Sequence, residues 1–180
     1  SKTRENSLAC TDTSTSTILH KNARRCSGKR YSTKTVAMKP EKLANIHAAA
    51  FPKGRSWSTA EFRKMQDNPY TYLTTEEHGF AIWRSIANEA ELLTIAVHPS
   101  QQNRGFGNSL MQNWMAQAAE TANTAFLEVA TNNASACKLY EKFGFLTVSL
   151  RKNYYAIEKG FIHAKLMRAR LPFTHIQRAQ

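Results

Sequence analysis

The sequence predicts an α/β fold: a mixed, mostly antiparallel central sheet with helices on both faces. Three observations predict it. Apolar residues recur at helical spacing in two windows, around residues 40–50 and 58–66. Three β-rich windows, separated by turn residues, follow between 70 and 97. From there to residue 170, helix and strand patterns alternate and end in two strands.

Taken in order, "KPEKLANIHAAAF" has a proline near a helix start and Leu43, Ile46, His47 and Ala50 on one face. "FPKGRSW" breaks it. "STAEFRKMQ" reads as a second helix, with Ser58 as N-cap and Glu61 three residues on, a capping box. "YTYLTTE", "GFAIWRSIA" and "EAELLTIAV" are strands of an antiparallel meander, turning at "EHG" and around Asn88. A helix over roughly Arg104–Thr121 follows, then the strand "TAFLEVAT" and the helix "NASACKLYEKFG", stopped by the C-cap glycine Gly144. "FLTVSLRKNYY" and "GFIHAKLMRAR" close the sheet.

Bulk properties narrow the class. With 180 residues, 42% of them hydrophobic, the chain holds one core-forming domain. That domain is expected over 38–170, with 171–180 as a C-terminal tail. No apolar run approaches the ~20 residues of a membrane span, and none near the start resembles a signal sequence. The three cysteines, Cys10, Cys26 and Cys137, form neither a metal pattern nor a disulfide framework. A reducing, cytoplasmic setting with no membrane partner is the simplest expectation. Residues 1–37 carry eight basic and two acidic residues, half of the net +12. This Ser/Thr-rich segment is expected to be a disordered extension, with a transit segment as the alternative. Nucleic acid could be met only through it.

Chemistry enters at "TIAVHPSQQNRGFGNSLMQNW". A strand ending in a glycine-bearing loop that opens a helix is an anion site, because first-turn N–H groups are unpaired and lie at the positive dipole end. Arg104 adds a charge. The loop is not a P-loop, since no Gly-Lys-Ser/Thr occurs, and not a dinucleotide fingerprint, since Leu110 stands at the third glycine position. A pyrophosphate held by backbone is the expected ligand, and glycines placed for loop geometry alone are the alternative.

Three stretches in order, "ELLTIAVHPSQQNRGFG", "FLEVATNNASACKLYEKFGF" and "RKNYY", resemble the GNAT superfamily of N-acetyltransferases, and within it the RimI-type N-α-acetyltransferases. The resemblance covers about Lys39 to Arg168. It implies acetyl-CoA as donor, no metal, and a ribosomal-protein N-terminus as acceptor. The pantetheine arm would lie along Ile95, Ala96 and Val97. The pyrophosphate would lie on Asn103, Arg104, Gly105, Phe106, Gly107 and Asn108, and Asn133 would contact the cofactor. RimI-type sequences usually have basic residues where Asn103 and Asn108 stand, and an acidic pair where Ile162 and His163 stand.

Acetyl transfer to an amine needs a neutral nucleophile and a proton for the leaving thiolate. An α-amine (pKa about 7.7–8) needs less help than a lysine (about 10.4). By the resemblance Glu128, inside the apolar "AFLEVA", is the base, and partial burial is expected to raise its pKa. A solvated Glu, or one paired to a nearby Lys, is the alternative. Tyr140 in "KLYEKFGF" is the implied acid, with a plain core tyrosine as the alternative. Asn133 also suits an N-cap. Asn153, Tyr154 and Tyr155 are expected to flank the acceptor groove. The sequence therefore predicts a protein N-α-acetyltransferase, with a GNAT enzyme for a lysine side chain or small amine as the alternative.

Overall fold

The computed structural model describes residues 38–52, 54–157 and 160–173. The extension expected over 1–37 and residues 174–180 lie outside the described residues.

Helix α1 (Pro40–Ala50) opens with a proline, whose missing N–H costs nothing in a first turn, and buries Leu43, Ile46 and His47. Helix α2 (Thr59–Gln66) begins at the expected box: the Glu61 N–H donates to Ser58 Oγ, and the Ser58 N–H to Glu61 Oε2 at 2.8 Å. A cap of this kind is worth about 1 kcal/mol, so it fixes where the 51–58 loop ends.

Strands β1 (Thr71–Glu76), β2 (Gly79–Ile86) and β3 (Glu89–Val97) form the meander. The turn between β2 and β3 places Ala87 and Asn88 at positive φ. A 3-10 turn at Pro99–Gln101 leads to α3 (Phe106–Ala118), β4 (Thr124–Ala130), α4 (Ala134–Lys142), β5 (Leu146–Ile157) and β6 (Gly160–Arg170). Helix α3 starts two residues later than the sequence suggested, because Gly105, at φ 92°, is left-handed and caps the helix instead of joining it. The strand order is β1-β2-β3-β4-β6-β5, and only the β3–β4 pairing is parallel.

Period-two alternation along β2 divides the core. Phe80 and Ile82 pack with Leu43, Ile46 and Phe62 of α1 and α2. Ala81 and Trp83 pack with Met111, Trp114, Cys137 and Tyr140 of α3 and α4. Both buried indoles keep a partner: Trp83 donates to Thr74 Oγ1 at 3.1 Å and Trp114 to Met111 Sδ at 3.2 Å. Packing runs past residue 170, since Leu171 is buried and the Phe173 ring lies tilted against Phe143, with ring centres 5.2 Å apart.

The feature that positions the site is the parting of β3 from β4. Their ladder runs from Glu89↔Thr124 to Leu92↔Leu127 and stops. At that point Ile82 faces Thr94 while Trp83 faces Leu92, so Leu93 is an extra residue in β3. A bulge bends its strand and increases the twist. Beyond it, among the described residues, Thr94–Val97 pair only with β2, and Glu128–Ala130 only with β6. A wedge opens between the two strands, with an unpaired backbone edge on each side.

Candidate active site

Ile95, Ala96 and Val97 form the β3 side of the wedge. Ile95 packs toward the α3/α4 layer and Ala96 toward α1 and α2, which leaves the backbone edge facing the gap. Past the strand end, Gln102 Nε2 donates to the Val97 carbonyl at 3.1 Å and ties the loop to β3. Asn103 sits at φ 61° and Gly105 at φ 92°, and Asn and Gly tolerate that region best. No side chain caps α3, so the N–H groups of Phe106, Gly107 and Asn108 form a bare positive helix end. Arg104 is exposed beside it. From the last turn of α4, Lys142 Nζ donates to Asn108 Oδ1 at 2.7 Å. A cation thus stands at position 108 although the local sequence lacks one, and sequence reasoning missed it because it comes from another element. The Ser109 hydroxyl and Asn113 Nδ2, the latter at 3.0 Å, donate to Glu76 and fix α3 against β1.

The two loop glycines have different reasons. Gly105 is required by its positive φ, and a Cβ there would meet nothing within 4 Å. A Cβ on Gly107 would touch Leu139 Cδ2 at 3.5 Å, an ordinary contact, so protein packing does not demand glycine there.

Glu128 and Tyr140 lie on opposite faces of the sheet. Ala125, Leu127 and Val129 point into the α3/α4 layer, so the alternation turns Glu128 to the other face, where its side chain is 20% exposed. Tyr140 is buried in the α3/α4 layer, the layer against which Ile95 packs. The wedge therefore has a carboxylate on one face and a phenol-bearing helix on the other.

Glu128 is paired, as the sequence allowed, but its partner is an arginine. Arg151 Nη1 stands 2.8 Å from Glu128 Oε1. The Tyr154 hydroxyl also donates to Glu128; that bond first, then burial and the carboxylate charge, hold the phenol above its ordinary value of 10.0. Of the residues expected to flank the acceptor, Tyr154 therefore reaches Glu128. Asn153 instead shapes the backbone, at φ 55° with its N–H donating to His163 Nδ1 at 3.0 Å. Tyr155 pairs with Ile162 through the backbone. Asn133 caps α4, accepting from the Ala136 N–H at 3.2 Å, which leaves its amide N–H groups for a ligand. His98 caps the 3-10 turn and is structural. His47, at the foot of the 51–58 loop, stacks on Trp57 at 5.0 Å, and burial holds its imidazole below 6.5 against the opposing charge of Glu61.

An open strand edge beside a bare helix N-terminus suits a phosphate carried on a long, amide-bearing arm, which is how acyl-coenzyme A is built. The class this geometry fits is an acyl-CoA-binding transferase. The chain belongs to the Acetyltransferase (GNAT) family, which it matches over residues 41–145. It is 34% identical over 125 residues to the Escherichia coli [ribosomal protein bS18]-alanine N-acetyltransferase, covering 67% of this chain and 82% of that one. The Haemophilus influenzae enzyme of the same name is 39% identical over 109 residues, covering 58% and 74%. The crystal structure of the Escherichia coli enzyme superposes with a TM-score of 0.67 at 27% identity, covering 78% of this chain and 93% of that one. The donor is acetyl-CoA. Among the described residues no group could hold a metal ion, and no helix is long and apolar enough to cross a membrane.

Proposed function

We propose that this acetyltransferase is a protein N-α-acetyltransferase that modifies the N-terminal alanine of a small-subunit ribosomal protein in the cytoplasm. The observation that carries the reading is the placement of Glu128: a fixed carboxylate at the edge of the wedge, on the face away from Tyr140. The likeness to bS18-alanine N-acetyltransferases supports the acceptor.

Acetyl-CoA supplies a thioester whose carbonyl an amine can attack. The open edge of Ile95–Val97 and the N–H groups of Phe106, Gly107 and Asn108 would hold its arm and pyrophosphate, with Arg104, Lys142 and Asn133 beside them. Glu128 takes the proton that the acceptor amine must lose as its nitrogen bonds to the carbonyl carbon. Tyr140 gives its proton to the sulfur as the C–S bond breaks, leaving an N-acetyl terminus and free CoA. An α-amine is partly neutral near pH 7, so a carboxylate base suffices.

His163, where RimI-type sequences usually have an acidic residue, is engaged within the fold through its ring. Glu128→Gln and Tyr140→Phe test the roles. Each should lower kcat on a peptide with a free N-terminal alanine by roughly 10²-fold or more with acetyl-CoA affinity retained. Wild-type turnover in both variants would contradict the assignment.

A further inference from the structure

We propose that His163 is a positioning residue for acetyl transfer: its neutral ring holds the β5 bulge that brings Arg151 and Tyr154 together on Glu128. The inference rests on Glu128 being the base.

The register shows why a side chain is needed. Arg151 faces Ala164, and the next paired residues are Tyr155 and Ile162. Lys152, Asn153 and Tyr154 therefore stand opposite His163 alone. A strand with residues in excess has main-chain donors without a ladder acceptor. One of them, the Asn153 N–H, donates to His163 Nδ1 at 3.0 Å. Since Nδ1 accepts, the ring carries its proton on Nε2. The His163 carbonyl accepts the Thr131 N–H at 2.9 Å, just past the end of β4 and three residues from Glu128. One residue thus joins the strand bearing the base to the bulge bearing its partners.

The bulge changes where side chains point. Residues three apart in a regular strand face opposite sides of the sheet. Arg151 and Tyr154 are three apart, yet both reach Glu128, and the guanidinium lies 5.5 Å from the Tyr154 ring centre. Only the irregular backbone between them allows this. Releasing Asn153 would free the strand to regain regular pairing and turn one of the two partners away from the carboxylate.

The test compares His163→Leu, which has no acceptor, with His163→Asn, whose Oδ1 can stand where Nδ1 does. Both are assayed with acetyl-CoA and an alanine-terminated peptide, beside Glu128→Gln. His163→Leu should lower kcat/KM for the peptide roughly tenfold, the size of one lost hydrogen bond, with acetyl-CoA affinity within twofold of wild type. His163→Asn should restore at least half of the wild-type value. Wild-type kinetics in His163→Leu, or an equal loss in His163→Asn, would overturn the inference. If Glu128→Gln loses turnover while His163→Leu does not, only this inference fails; if Glu128→Gln is fully active, the base assignment itself fails. In the wild-type protein a through-hydrogen-bond ¹⁵N–¹⁵N coupling should link the Asn153 amide to His163 Nδ1. Its absence would overturn the inference even if His163→Leu did not fold.

Discussion

The Glu128 carboxylate and the Arg151 guanidinium stand 2.8 Å apart, with the acid 20% and the arginine 51% exposed. Arg84 and Glu91 also pair, at 2.7 Å, but with 50% and 37% exposure, where such contacts are worth about 0–1 kcal/mol. The pair at Glu128 is better shielded on its acid side, so it governs the orientation of the carboxylate more strongly. Arg151→Ala removes one of its two partners. Kinetics should show kcat/KM for the acceptor falling roughly tenfold with acetyl-CoA affinity unchanged, whereas a rise would mean that Arg151 only blocks the acceptor.

Tyr154 reports on the same carboxylate. Its bond to Glu128, and the charge beside it, hold the phenol above 10.0. Absorbance titration of the phenols should lose a component above 10.0 in Tyr154→Phe, and in Glu128→Ala that component should move down. The linkage has one sign: the native state keeps a proton that the unfolded chain has lost. The stability this contributes is present below about pH 10 and disappears as pH rises through the native value. Alkaline unfolding of Tyr154→Phe should therefore be less steep.

The loop glycines are expected to differ. Gly105→Ala places a Cβ at φ 92° and should cost about 1 kcal/mol in urea unfolding. Gly107→Ala meets only an ordinary contact with Leu139, so the fold should tolerate it. Any effect of Gly107→Ala should appear in acetyl-CoA affinity rather than in the unfolding midpoint.

His47 sets an acid limit on stability. Burial holds its imidazole below 6.5, so the native state is short of a proton that the unfolded chain binds. The stability involved is fully present above 6.5 and drains as pH falls from there through the lower native value. Urea midpoints should drop from about pH 7 to about pH 5 in wild type. His47→Phe should start lower, having lost the acceptor for the Trp57 N–H, but should change less over that range.

Local chemistry was legible in the sequence. Ser58 and Glu61 announced their box, Gly144 its helix stop, and Leu43, Ile46 and His47 their buried face, because each signal lies within four residues of its partner. The glycine loop was singled out by its own local pattern, and Glu128 by the family resemblance of the stretch that holds it. What pairing decides was not. The bulge at Leu93 that opens the wedge exists only in the register between β2 and β3. Arg151 stood in the quoted "RKNYY", yet its partner is visible only once β6 lies between β4 and β5 and the excess in β5 is placed. Lys142 reaches position 108 across 34 residues of chain, and no local pattern encodes that.

The most direct measurement follows CoA release from acetyl-CoA with a short peptide that begins with a free alanine, and again with the same peptide blocked at its N-terminus. Release with the free terminus and none with the blocked one is the expected result. Equal release from the blocked peptide, or none from either despite tight acetyl-CoA binding, would contradict N-α-acetylation and leave a GNAT enzyme for a different amine.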